Sequence, residues 1–97
     1  MALTKVILSA DGVTEFHAEG TPYSTIQYEF SGGASLEVAT DVSFGGNAFM
    51  SIDTGITNSK IATIPGGSTV ELIRLTVSSY VSGTCTVYYR AATLLRK

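Results

Sequence analysis

The side chains able to do chemistry are few and scattered. There is one histidine, His17, and one cysteine, Cys85. A hydrolytic triad needs a histidine to take the proton of its nucleophile. His17 lies in Thr14-Glu15-Phe16-His17-Ala18, where it reads as a solvent-facing residue of a strand. A catalytic thiol needs a basic neighbour, whereas Cys85 sits in a Thr- and Val-rich run and reads as a small buried hydrophobe. A single cysteine excludes an internal disulfide and a thiolate metal cluster. The stretch from Asp41 to Asp53 holds carboxylates, glycines and Asn47, but not the alternating acidic ligands of an EF-hand loop. There Asp41 is expected to shape a loop by bonding to nearby backbone. No phosphate-binding glycine loop, dinucleotide fingerprint or zinc-protease motif occurs. The reading is therefore of a non-enzymatic chain without catalytic, cofactor or metal residues.

Aromatic and cationic groups are the remaining candidates. Of five tyrosines, Tyr80 is placed in a turn and Tyr88 on an outward strand face. Either could stack on a sugar or anchor a protein interface. Arg74 and Arg90 fall on the polar sides of two late strand-like runs.

Those side chains must be carried by strands. Thr, Val and Ile number 13, 8 and 7 residues, and β-branched side chains fit a pleated surface. Turn signals recur roughly every ten residues, the spacing of a sandwich or barrel of short strands. They fall at Asp11-Gly12, Gly20-Thr21-Pro22, Gly32-Gly33, Gly45-Gly46-Asn47, Thr54-Gly55, Pro65-Gly66-Gly67 and Ser82-Gly83.

Between the turns the sequence alternates with the period of two of a half-buried strand. Leu3–Leu8 sets Val6 and Leu8 against Lys5 and Ile7, and a short run follows at Val13–Ala18. Tyr23–Phe30 sets Ile26, Tyr28 and Phe30 against Thr25, Gln27 and Glu29. Leu36 and Val38 alternate with Ser35, Glu37 and Ala39. In Ala48–Ile52, Met50 and Ile52 are expected inward. In Ser59–Ile64, Ile61 faces the core or lies near a sheet edge. Val70–Ser78 sets Ile73, Leu75 and Val77 against Arg74 and Thr76. Val70 and Leu72 are out of phase with that set, which places a bulge near Leu72–Ile73. Thr84–Ala91 sets Cys85, Val87, Tyr89 and Ala91 against Thr86, Tyr88 and Arg90. The last two runs are separated by only Ser79–Gly83, so they are expected to pair as an antiparallel hairpin with Arg74 and Arg90 on one exposed face. Ala91–Lys97 is too short for a stable helix alone.

The fold expected is all-β: a single antiparallel β-sandwich, jelly-roll-like or Ig-like, of seven or eight short strands over residues 1–97. Charged residues are 14% of the chain, against about 25% in a typical domain. The net charge of −2 and pI near 5.1 argue against nucleic-acid binding, which needs a basic face. Arg96 and Lys97 read as a solvated tail. No run reaches the roughly 18 apolar residues of a membrane span. The opening residues lack the apolar run of a secretory leader, so the product is expected to stay in the cytoplasm unless lysis releases it.

Two segments resemble small β-sandwich virion proteins of tailed bacteriophages. The first runs from Leu36-Glu37-Val38-Ala39-Thr40-Asp41 through Ser43-Phe44-Gly45-Gly46-Asn47-Ala48-Phe49 to Ile52-Asp53-Thr54-Gly55. It is similar to the family's strand, loop, aromatic and second strand ending in Asp-Thr-Gly. Here Ser43-Phe44-Gly45-Gly46 replaces the usual Asp-Gly loop, and Phe49 stands where tryptophan is frequent. The second is Leu72-Ile73-Arg74-Leu75-Thr76-Val77-Ser78-Ser79-Tyr80-Val81-Ser82-Gly83-Thr84-Cys85-Thr86-Val87. It resembles the family's final Ile/Val-Arg strand, Tyr-x-Ser-Gly-Thr turn and Thr/Val-rich last strand. The resemblance implies a non-enzymatic structural protein of the virion, made in the host bacterial cytoplasm. A capsid decoration or cement protein is expected, bound to the major capsid protein or other virion proteins as a homo-oligomer, with a trimer favoured. The alternatives are a glycan-binding module of a tail fibre or lectin, which would bind a host glycan, and a neck or tail adaptor.

Overall fold

The computed structural model describes residues 3–18, 23–45, 48–64 and 70–92; the side chains of Tyr23, Ser24, Ala91 and Ala92 are not described. Outside them lie the expected turns at 20–22 and 65–67, the pair Gly46-Asn47, the inward placement of Ala91, the stretch 93–97 and the basic tail. The described residues form eight strands: β1 (Leu3–Leu8), β2 (Gly12–His17), β3 (Tyr23–Phe30), β4 (Ser35–Ser43), β5 (Phe49–Ile56), β6 (Lys60–Thr63), β7 (Leu72–Ser82) and β8 (Cys85–Ala92). They form two antiparallel four-stranded sheets in the orders β1-β8-β3-β6 and β2-β7-β4-β5. This is a β-sandwich. The first strand pairs with the last, the second with the seventh, the third with the sixth and the fourth with the fifth. That wiring is one long hairpin rolled on itself, the jelly-roll pattern rather than the Ig-like one.

The alternation read from the sequence fixes which side of each sheet is dry. Ile26, Tyr28, Cys85, Val87 and Tyr89 line the inner face of one sheet. Leu36, Val38, Thr40, Val42, Ile73, Leu75 and Val77 line the inner face of the other. Phe16 and Tyr89 meet across the core with ring centroids 5.5 Å apart, within the range of favourable aromatic pairs. Two buried hydroxyls also meet: the Tyr28 phenol and the Thr40 Oγ1 share a hydrogen bond, one on each sheet. Each satisfies the other, so neither carries the cost of an unpaired buried polar group.

The expected β7–β8 hairpin does not form. β7 lies between β2 and β4, and β8 lies between β1 and β3, in the opposite sheet. The chain crosses between the sheets instead of folding back within one. Two backbone features turn it: Ser79 at φ 56° and Gly83 at φ 83°. The pairing of Glu37 with Ser78 and of Ser35 with Ser82 leaves two surplus residues in β7 between them. The bulge therefore sits around Ser79, not at Leu72–Ile73, where the register is continuous against both neighbours. Val70 appears out of phase because it packs on the core before the strand begins.

The crossing is locked against the β3–β4 turn. Ser31 donates its backbone N–H to the Thr84 carbonyl at 2.9 Å. The Thr84 N–H is donated to the Ser31 hydroxyl at 3.0 Å. A Cβ on Gly83 would lie 2.5 Å from the Ala34 Cα, so only glycine admits both this contact and the positive φ.

Two of the four edges are blunted. β6 is four residues long, and β5 carries two register shifts against β4, with Gly55 at φ 65°. Irregular and short edges resist pairing with other chains. β1 and β2 are regular along their six residues.

Gly83→Ala is expected to destabilise the fold by about 2–4 kcal/mol, through overpacking against Ala34 and an unfavourable φ. The shift of the urea midpoint measures it. Tyr28→Phe strands the Thr40 hydroxyl and is expected to cost about 1–3 kcal/mol. Adding Thr40→Val should recover most of that loss, and a double-mutant cycle with no coupling would contradict the pairing.

Candidate functional site

Three of the four residues singled out by type divide between opposite surfaces. Arg74 projects from the outer face of the β2-β7-β4-β5 sheet, whereas Tyr88 and Arg90 project from the outer face of the β1-β8-β3-β6 sheet. The shared arginine face expected from a β7–β8 hairpin therefore does not exist.

Arg74 is committed to internal partners. Its Nε donates to Glu15 Oε2 at 3.2 Å, directly across β2 and β7. Its guanidinium carbon lies 3.7 Å from the centroid of the Phe49 ring. The side chain thus spans β4 and clamps β5 from outside. The ion pair is partly exposed, so its worth is small, and the cation–π contact adds a further modest term.

Tyr80 is also committed. Its hydroxyl donates to the Gly83 carbonyl at 3.0 Å and its backbone N–H is donated to Asp11 Oδ1 at 2.9 Å. The ring packs against the core. Tyr80 is therefore a brace of the Ser79 bulge, not an open stacking surface.

Tyr88 and Arg90 do come together, at a shallow groove of about 420 Å³ lined by Leu3, Thr25, Gln27, Glu29, Tyr88 and Arg90. The strand register explains the set. Arg90 stands between Leu3 and Thr25, Tyr88 between Lys5 and Gln27, and Thr86 between Ile7 and Glu29. Tyr88 is the centre of this grid, half-buried among its neighbours. Alternation placed Thr25, Gln27 and Glu29 outward, but which strand lay beside theirs was not readable.

A second concave feature lies at the tip of the β4–β5 hairpin. Val42, Phe44, Gly45, Ala48, Phe49 and Met50 line a cleft of about 310 Å³. Met50 pairs with the buried Val42, so it leaves its sheet on the core side as expected. It is nevertheless 68% exposed. It lies at the end of an edge strand, past the cover of the opposing sheet. Phe44, just beyond β4, is 63% exposed in the same cleft. Ile61 takes the edge alternative: it is 66% exposed on the outer side, opposite Gln27. The tip is shaped by Ser43 rather than Asp41. The Ser43 hydroxyl accepts the Gly45 N–H at 3.0 Å and is within 3.2 Å of the Gly45 carbonyl. Asp41 instead stands on β4 between Arg74 and Ser51.

His17 is exposed at the end of β2, and Cys85 is fully buried between β1 and β3. Burial pushes the Cys85 thiol up to about 11, against a hydrogen bond from the Glu29 backbone that opposes the shift. Burial likewise pushes the Tyr28 phenol up to about 12; the Thr40 hydrogen bond opposes this and the Asp53 carboxylate adds to it. Asp53 itself is held by Lys60 at 2.7 Å, an ion pair joining the β5 and β6 edges. Among the described residues no cluster of three His, Cys, Asp or Glu could hold a metal ion.

No family model, no curated protein and no solved structure matches the chain.

Both raised groups are acids kept neutral by the fold. Unfolding releases their protons more readily, so stability is full below their unfolded values and falls as pH rises towards the folded ones. The thermal midpoint is expected to hold up to about pH 9, then to fall between pH 9 and 11 for Cys85 and between pH 10 and 12 for Tyr28. Cys85→Ala should remove the lower part of this loss and Tyr28→Phe the upper part. A midpoint flat to pH 12 in the unmodified chain would contradict the assignment.

Proposed function

We propose that the chain is a non-enzymatic structural protein of a bacteriophage particle, one that decorates or cements the outer capsid shell as a homo-oligomer. The observation that carries this reading is the apolar overhang at the β4–β5 tip. There the core-side surface of one sheet continues past the other, and Phe44 and Met50 face solvent. Exposed apolar patches mark interaction sites. This one is also held in shape before any partner arrives, by Arg74 over Phe49 on its outer side and by Ser43 on Gly45 within the turn. A preorganised surface loses little entropy on docking.

Two further points support the reading. The overhang falls within the first segment that resembles phage virion proteins, and the Ser79 bulge and Gly83 crossing fall within the second. The jelly roll is also an architecture used by capsid and lectin domains, although a fold alone does not assign a function. In the proposed assembly the tip of one copy packs on a neighbouring copy in a closed ring, with three copies favoured. The partner beneath is the major capsid protein, and the protein travels in the virion.

Light scattering after size exclusion is expected to give three times the 10.2 kDa chain mass. Burying a large apolar side chain contributes roughly 1.5–3 kcal/mol. The double variant Phe44→Ser, Met50→Ser should therefore weaken association by about a hundredfold and run as a monomer. Its thermal midpoint, measured at the same monomer concentration, should show no loss beyond that of dissociation. Mass spectrometry of purified particles should find the chain. Its absence from particles while abundant in infected cells would overturn the reading.

A further inference from the structure

The groove on the outer face of the β1-β8-β3-β6 sheet is built differently from the opposite surface. On the opposite surface Arg74 is held by Glu15 and Phe49. Around Tyr88, the side chains of Gln27, Glu29 and Arg90 make no hydrogen bond or ion pair with any described residue. They surround an aromatic ring at the centre of three adjacent strands. Neighbouring strands are about 4.8 Å apart, and alternate residues about 6.8 Å along a strand. The polar groups therefore stand within one small ligand's reach of the ring.

The chemistry of this set narrows its ligand. Tyr88 offers an aromatic surface for an apolar ring face. Arg90 can only donate hydrogen bonds, the Glu29 carboxylate can only accept them, and Gln27 does both. Thr25 adds a hydroxyl beside Arg90. Arg90 and Glu29 line the groove with opposite charges, and Lys5 stands beside Tyr88 on β1. A polyanion would meet Glu29, and an apolar segment would bury Arg90 and Glu29 without partners, at a high desolvation cost. A neutral ring with C–H groups on its face and hydroxyls around its rim satisfies every group at once. The groove's 420 Å³ falls within the roughly 300–1,000 Å³ of small-ligand clefts. We propose that this groove is a binding site for a neutral saccharide, with a pyranose ring seated on Tyr88 and its hydroxyls held by Gln27, Glu29 and Arg90. The site uses a surface separate from the β4–β5 overhang and does not depend on the structural role.

The test is calorimetric titration of the full chain with a panel of short neutral oligosaccharides of glucose, galactose, mannose and N-acetylglucosamine. Sulfated and sialylated counterparts serve as the contrast. Binding of at least one neutral class is expected, and Tyr88→Ala should weaken it by about tenfold or more. Arg90→Ala and Gln27→Ala, at exposed positions, should each weaken it by roughly threefold or more, and they carry the test should Tyr88→Ala fail to fold. Lys60→Ala, at the other edge, and the Phe44→Ser, Met50→Ser variant should bind as the unmodified chain does. The proposal is overturned if no neutral member binds at millimolar concentration or if only the charged sugars bind. It is also overturned if binding survives both Arg90→Ala and Gln27→Ala undiminished.

Discussion

Each four-stranded sheet has one apolar face, and that face stays dry only where the other sheet lies over it. This matter of coverage governs the molecule. Where the sheets overlap, Ile26, Val38, Ile73, Leu75 and Cys85 lose all contact with water. The polar groups enclosed with them must then find partners inside. Tyr28 and Thr40 do so by joining hands across the gap, which makes the relative position of the two sheets specific as well as dry. Where the overlap ends, Met50 leaves its sheet on the same side as Val42 and meets solvent. Two residues with the same orientation thus differ in environment because the cover is finite.

Coverage also explains the wiring. With most strands alternating in burial, sealing the core requires two sheets, and the jelly-roll order supplies them by sending successive strands, β4 and β5 apart, to opposite sides. Among the described strands only β4 and β5 are both consecutive in the chain and paired. Every other pairing joins distant segments, so loop-closure entropy precedes most of the gain from contact, and folding is expected to be slow for a domain of this size. At the β7–β8 crossing the backbone of Gly83 passes against Ala34 and Ser31 and leaves no room for a side chain.

Much of this was legible in the residues. The alternation of Ile26, Tyr28 and Phe30 with Thr25, Gln27 and Glu29 predicted both a strand and its buried side. The same holds for Ile73, Leu75 and Val77, and for Cys85, Val87 and Tyr89. What alternation lacks is a second dimension. It states which side of a strand is wet, but a strand buried against a sheet opposite and one beside a neighbour in the same sheet read alike. For that reason β7 and β8 looked like a hairpin, although their apolar faces meet across the core instead. The same ambiguity put Arg74 and Arg90 on one face, whereas they lie on opposite outer surfaces. Met50 illustrates a third gap: its side was readable, but the length of the opposing sheet was not.

The two arginines show how neighbours, rather than residue type, decide what a side chain is available to do. Both leave strands on the outward side, in similar sequence settings: Ile73-Arg74-Leu75 and Tyr89-Arg90-Ala91. Register puts Glu15 and Asp41 on either side of Arg74, so its charge is neutralised from within and its stem is drawn over Phe49. That engagement braces the hairpin tip and leaves Arg74 little to offer a ligand. Register puts Leu3 and Thr25 on either side of Arg90, and neither can neutralise a guanidinium. The nearest carboxylate on β3 is Glu29, four residues along the strand from Thr25. Among the described residues Arg90 has no hydrogen-bond or ion-pair partner, and a ligand rich in hydroxyls can accept from its donors. An outward face whose charges are already paired is suited to holding the protein's own shape. One whose charges are spaced apart around an aromatic ring is suited to holding something else.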